Sequence, residues 1–406
     1  MFLRSLLLSF FLLGLLWPAN AQDDLPSLDS VKILLTDPTI QLECTDAINA
    51  LYNFEFQKAD VQFNKLRKAY PKHPLPYFLM ALTYWWRIMP GLDSERTKNL
   101  TPTERKNEDR FMAYLDSAIK YGEKMADKKN KNIEAYFFLS GAYGFKGRLL
   151  GERKNYVKAA LSGRNAVKYL EEMEDRGSDF SPEFLFGDGL YNYYAAWIPQ
   201  EKPSVKPLLW FFKKGDKKLG IEQLETVVSE AFYTKTEGQV FLLDIYNNEK
   251  NYAKALEIAT YLHTNFPQNP VFMRNYAKCL YMNNRVTEAE PVCRKILENL
   301  ENKKEGFEET SGRYAAFYLG HFYRYRKADP KAAQVYYKKA IEFATQSENL
   351  TAGYSVRAMM EVAEIEELYE NKTEAMVYYE KVVDNTEKDN ELHKKAKEKI
   401  KLLKKK

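Results

Sequence analysis

The residues best suited to metal binding or proton transfer are four histidines, His73, His263, His321 and His393. None lies within five residues of another histidine or of a cysteine. A metal needs converging ligands, so neither an H-E-x-x-H helix nor a zinc-ribbon spacing exists here. The nucleophile elbow G-x-S-x-G, S-x-x-K with its partner motifs, and the phosphate loop G-x-x-x-x-G-K-[ST] are also missing. The stretch nearest to a phosphate cradle, "GAYGFKG" from Gly141 to Gly147, lacks the terminal Ser or Thr and reads as a turn where a helix ends. The carboxylates Glu364, Glu366 and Glu367 fall at spacings that spread them around a helix, which reads as a solvated face. The sequence therefore predicts no enzyme activity: catalytic residues none, metal none, cofactor none.

One further stretch invites a nucleotide-binding reading, "SPEFLFGDGLYNYYAAWIP" at residues 181–199. A dinucleotide fingerprint needs a preceding strand and a third glycine three residues on. Here that position holds Asn192, and the preceding "EEMEDRGSD" is polar and turn-like. Ser181 suits a helix N-cap, Pro182 the first helical position and Pro199 the end of the run. Gly187 and its neighbours then read as a place where two helices touch.

These residues are carried by a chain whose N-terminus reads as an export signal. Arg4 precedes an apolar run from Leu6 to Trp17, followed by Ala19-Asn20-Ala21. The run is too short to span a bilayer but long enough for a signal-peptide core. Residues 1–21 are thus expected to be removed, leaving a mature chain from Gln22, and no later stretch is apolar enough to be transmembrane. A net charge of +5 over 406 residues, against 61 Lys and Arg, lacks the basic stripe of a nucleic-acid binder. Three cysteines, Cys44, Cys279 and Cys293, exclude a disulfide scaffold and read as buried thiols.

Internal repetition supplies the architecture. In "FLLDIYNNEKNYAKALEIATYLHTNFPQNP", Leu242, Tyr246, Ala255 and Pro267 recur in order, and Ala289 follows Ala255 by 34 residues. Ala59 and Pro71 repeat the 12-residue interval of Ala255 and Pro267. Leu319-Gly320, Tyr323, Ala333 and Ala340 form a later unit, and Ala375 with Tyr379 another. These spacings resemble the tetratricopeptide repeat superfamily, in exported bacterial-type form, over most of the mature chain. The resemblance implies an all-α, right-handed α-solenoid of about seven to eight degenerate helical hairpins over residues 22–406. Each hairpin leaves an apolar face that only a neighbour buries. Small residues at Ala59, Ala159, Ala255, Ala289, Ala333 and Ala375 let paired helices approach, and Gly187 and Gly220 do the same in divergent units. Residues 90–109 read as a loop insertion, 199–210 as a proline-rich crossing, and 386–406 as a basic C-terminal helix that caps the stack.

The function implied is a non-enzymatic protein- or peptide-binding scaffold of the periplasm or secreted space. Two other classes remain open: an envelope enzyme with no visible motif, and a structural spacer. Carried from the family onto the two clearest units, the groove-facing positions are Val240, Asp244 and Asn247, then Arg274, Lys278 and Tyr281, each pair 34 apart. In this reading Asp244 neighbours Lys278, Arg274 is the freer cation for an acidic segment or chain terminus, and Tyr281 is an apolar wall. The aromatics in excess of repeat needs, Trp85, Trp86, Tyr193, Tyr194, Trp197, Trp210 and Phe212, mark the alternative surface.

Overall fold

The computed structural model describes residues 33–92, 100–126, 132–173, 180–201, 203 and 213–405. The export signal, Trp210, Phe212 and most of the proline-rich crossing lie outside the described residues. Among the described residues the chain is all helix, with 17 α-helices and no strand.

In chain order these follow one another as eight two-helix segments and a closing helix. They are α1 (Pro38–Tyr52) with α2 (Phe56–Ala69), α3 (Pro74–Ile88) with α4 (Pro102–Met125), and α5 (Ile133–Glu152) with α6 (Tyr156–Glu171). Next come α7 (Leu185–Glu201) with α8 (Lys217–Glu230), α9 (Lys235–Asn248) with α10 (Tyr252–Asn265), and α11 (Pro270–Met282) with α12 (Val286–Glu301). The last are α13 (Glu309–Tyr325) with α14 (Pro330–Gln346), α15 (Gly353–Leu368) with α16 (Lys372–Asp384), and the closing α17 (Glu391–Lys405). The chain is an all-α, solenoid-type stack of degenerate hairpins.

Local chemistry sets the ends. Asp37, Asn132, Asp216, Asn251, Asn269 and Asp329 each accept a backbone N–H of the following first turn, meeting donors a helix leaves unpaired. Six hairpin turns place a non-glycine residue in the left-handed region: Phe54, Lys154, Lys250, Asn284, Ala328 and Glu370. In five of them the next N–H returns to a carbonyl five residues back, as in Glu55 to Ala50 (2.8 Å), Asn251 to Tyr246 (2.8 Å) and Asn371 to Glu366 (2.9 Å). That bond closes the helix C-terminus in each unit.

Ala59, Ala159, Ala255, Ala289, Ala333 and Ala375 are all buried, as the repeat spacing predicts. Cys44, Cys279 and Cys293 are buried and unbridged. Burial pushes the Cys44 thiol up to about 11, so it stays protonated. Helix α17 packs on α16, and Lys395 and Lys399 reach Glu364 and Glu367 on α15 at 2.7 and 2.9 Å. The carboxylates read as a solvated face are therefore partnered. Glu366 is buried and accepts from Gln334, Lys338 and Asn371.

Three other expectations change. Gly141 to Gly147 lie inside α5, not at its end. Pro199 falls within α7, which runs on to Glu201. Of the supposed insertion, residues 102–109 are the first turns of α4, opened by a capping box between Thr101 and Glu104. The described chain divides into two compact units. The first takes the described residues of Met1–Arg87 and Thr101–Ile245, the second those of Ile88–Leu100 and Tyr246–Lys406.

A close backbone approach explains the glycines of the stretch at residues 181–199. A Cβ on Gly220 of α8 would sit 2.5 Å from Tyr193 N and 2.7 Å from Gly189 O, both backbone atoms of α7. Gly220 and Gly189 thus form the close approach. A Cβ on Gly187 would meet only the tip of Leu170, at 2.6 Å. Gly220→Ala gains about 1 kcal/mol of helix propensity but must push the two helix backbones apart. We expect a net loss of roughly 1–3 kcal/mol in chemical denaturation; an unchanged or higher midpoint would refute the contact.

Candidate functional site

Of the predicted groove residues, Val240 and Asp244 belong to the first unit and Asn247, Arg274, Lys278 and Tyr281 to the second. Val240 is 4% exposed and so belongs to the core. Asp244 is half-buried, and its charge acts on Arg148 and Tyr194 of the same unit. Asn247 is half-buried, with Nδ2 4.0 Å from Cys279 Sγ.

Arg274 corrects the expectation of a freer cation, because it is only 3% exposed. Its Nη1 donates to Ser311 Oγ at 3.2 Å and to Pro90 O at 3.4 Å, and its guanidinium lies 5.9 Å from the Tyr314 ring. Pro90 belongs to the short 3-10 turn Met89–Gly91, which packs on α11 and α13. A segment almost two hundred residues earlier therefore covers this arginine.

Lys278 and Tyr281 stay half-exposed, and Tyr281 opens a strip of rings across three successive first helices. Its centroid lies 6.0 Å from Phe317 and 5.0 Å from His321 on α13, and 6.2 Å from Tyr354 on α15. The His321 ring lies in turn 4.7 Å from that of Tyr325, tilted by 45°, and Tyr325 is 54% exposed. Burial, with Arg326 and Arg357 nearby, pushes His321 down, so it stays neutral near pH 7. Arg357 is exposed and its charge acts on both Tyr281 and His321. It supplies the cation that Arg274 does not.

The first unit holds a feature that no motif signalled, an open cavity of about 860 Å³. The first helices α3, α5, α7 and α9 all reach its wall, through residues such as Phe78, Phe145, Leu190 and Phe241. Tyr191 and Tyr194 of the aromatic block line it, whereas Trp85 and Trp86 are buried core. On the wall, buried Glu237 accepts from Trp86 Nε1 at 2.8 Å and Tyr52 Oη at 3.2 Å. Burial raises its carboxyl despite these donors. The Arg148 guanidinium stacks on Trp85 and Phe241 at 4.7 and 5.1 Å, near Glu152, Glu237 and Asp244. The cavity edge is braced by buried Glu183, which accepts from the N–H groups of Phe232, Tyr233 and Thr234 and from Thr234 Oγ1, at 2.6–2.9 Å. A carboxylate there suits the N-terminus of α9, where unpaired donors and the helix dipole favour negative charge.

The burial of Arg274 reverses the expected result of its removal. Arg274→Ala should lower stability by roughly 2–3 kcal/mol, through lost packing and an orphaned partner set. Thermal unfolding that does not move would return Arg274 to the surface.

Residues 248–305 match the family model for the tetratricopeptide repeat. No curated protein matches the chain. Among solved structures it is similar to the C-terminal part of a TPR repeat-containing protein from Cytophaga hutchinsonii, at 16% identity and TM-score 0.43, over 73% of this chain and 98% of that one. It is also similar to a human IFIT1 dimer with PPP-AAAA, at 17% identity and TM-score 0.39, over 81% and 68%. Yeast Tom70 aligns at 10% identity and TM-score 0.34, over 91% and 89%. Residues 248–305 thus carry a tetratricopeptide repeat, and the helix-turn-helix order with its recurring buried alanines gives the described chain a tetratricopeptide-like α-solenoid fold.

Proposed function

We propose that the protein is an exported, non-enzymatic scaffold whose second unit grips a segment of a partner protein. The observation that carries this reading is the strip of Tyr281, His321, Tyr325 and Tyr354, contributed by α11, α13 and α15 and left partly exposed beside Arg357. Tyrosine and arginine are the side chains that most often anchor a partner, because they bury large area with little entropy lost and keep a polar end. A backbone stretch lying along the strip would pack apolar side chains on the rings, with a carboxylate facing Arg357 or Lys278. Near-neutral overall charge supports a protein partner over nucleic acid. Export rests on Arg4, the run from Leu6 to Trp17 and the small residues up to Ala21.

Both the grip and the export are testable. Affinity capture with crosslinking by the mature chain should recover a partner. Tyr281→Ala with Arg357→Ala should weaken its capture tenfold or more, about 1.4 kcal/mol. Capture by the double variant at wild-type strength would remove the strip from the function. Separately, intact-mass analysis of exported protein should show a chain starting at Gln22, and a retained Met1 would refute cleavage.

A further inference from the structure

We propose that the outer face of α17, together with the turn that follows α15, docks the protein on an anionic lipid bilayer. This surface shares no residue with the aromatic strip.

Helix α17 carries seven lysines and two glutamates within Glu391–Lys405. Two of the lysines are used internally, Lys395 on Glu364 and Lys399 on Glu367. The other five, Lys394, Lys397, Lys401, Lys404 and Lys405, are exposed, and none of them makes an ion pair among the described residues. Steps of three, four and three residues, with Lys405 beside Lys404, keep them on one side of the helix. The opposite side packs down through buried His393 and Ala396 and half-buried Leu392, Ile400 and Leu403.

Neither the fold nor the helix dipole asks for that row. The dipole favours cations in the last turn, which accounts for Lys404 and Lys405. Lys394 lies in the first turn, where the dipole disfavours a cation, and Lys397 lies between the ends. Lysines three and four apart also repel one another along the row. A face of mixed sign would keep the helix solvated without that repulsion. A row of one sign suits an extended surface of the other sign.

Charge alone suits any polyanion, and the neighbouring apolar groups select a bilayer. The pairs Lys395–Glu364 and Lys399–Glu367 set α17 parallel to α15. Leu402, three residues past Lys399, therefore comes level with Leu368 and Tyr369 at the end of α15. These three are 57% (Leu368), 50% (Tyr369) and 49% (Leu402) exposed. A tyrosine ring and leucines beside lysines match a membrane interface, with the ring at headgroup depth, the leucines below it and the ammonium groups at the phosphates. A soluble polyanion leaves those apolar side chains in water. The exposed acids nearby are Glu398, on the flank of the row, and Glu370, at the turn beside exposed Lys372. Each lysine close to an anionic bilayer raises partitioning about fivefold, and added salt screens most of that gain.

The mature chain, which lacks the apolar run from Leu6 to Trp17, should cosediment at low salt with vesicles of equimolar phosphatidylglycerol and phosphatidylcholine. It should not cosediment with phosphatidylcholine alone, and raising the salt should release it. Lys394→Gln, Lys397→Gln, Lys401→Gln, Lys404→Gln and Lys405→Gln, combined, should weaken binding at least tenfold and leave the unfolding midpoint unchanged or higher. Tyr369→Ser with Leu402→Ser should weaken it about fivefold. Equal binding to phosphatidylcholine alone, salt-insensitive binding, or wild-type binding by the five-lysine variant would overturn the surface. Vesicle binding untouched by Tyr369→Ser with Leu402→Ser, while polyglutamate or duplex DNA binds as tightly as the vesicles, would overturn the lipid assignment. Partner capture through Tyr281 and Arg357 should be the same in every variant, so this surface and the strip stand or fail separately.

Discussion

Among the described helices, six hairpins depend on one small buried side chain where the second helix meets the first. Ala59, Ala159, Ala255, Ala289, Ala333 and Ala375 occupy that point in six second helices, and all are buried. A larger residue there would push the pair apart, because interiors this dense absorb even one added methylene poorly. The turn that brings the helices back is equally constrained. It needs one residue in the left-handed region, and six turns place a non-glycine there at a modest conformational cost. The returning N–H to a carbonyl five residues back offsets it by satisfying an orphaned acceptor. Once pair geometry is set this way, the outer apolar face of each pair has only the next pair to cover it.

Stacking by this rule leaves first helices side by side, and their shared face is then available for binding. In the first unit that face encloses a cavity, and in the second it presents rings. The difference traces to side-chain size on corresponding helices. Helix α5 places Gly141, Gly144 and Gly147 on the cavity wall, and α7 places Gly187 there. Helix α13 instead carries Phe317 and Tyr318, which fill the space, and Tyr314, His321 and Tyr325, which stay partly exposed. Buried carboxylates hold the first frame in place. Glu183 ties the turn before α7 to the start of α9, and Glu134 accepts Leu35 N at 2.6 Å.

The repeat was legible because its period is written in residues whose role is purely steric. Alanine, glycine and the turn-closing residues recur at set distances whatever the surface does. The interior of the motif "GDG" was legible in kind, as a helix contact, but Gly189 rather than Gly187 makes the backbone approach with Gly220. Gly141 to Gly147 misled because glycine marks helix ends and helix contacts alike, and only the neighbours Phe78 and Ala159 decide between them. The cavity left no motif, since it is made from apolar residues of five helices, α3, α5, α6, α7 and α9, with Leu35 ahead of them. Arg274 misled for a related reason. Helical spacing gives the face a side chain is on, but not whether a distant segment, here Met89–Gly91, closes over it.

The burial of Arg274 is not an isolated accident of packing, because α13 repeats it. Arg313 is 1% exposed, its Nη1 reaches Ser355 Oγ on α15 at 3.5 Å, and its guanidinium lies 4.9 Å from the Tyr314 ring. Arg274 reaches Ser311 on α13 and shares the same ring. Each arginine thus projects from one first helix to a serine near the start of the next, with Tyr314 between the two cations. The offsets differ between the pairs, so no fixed period would have revealed them. Burying a guanidinium costs least where hydrogen bonds and ring faces replace water: Arg274 has two bonds and a ring face, Arg313 one long bond and a ring face. The consequence reaches the binding face. Arg274, which spacing assigns to the groove, instead joins Arg313 in linking successive first helices, and this leaves the partly exposed rings and Arg357 as the surface on which the proposed recognition rests.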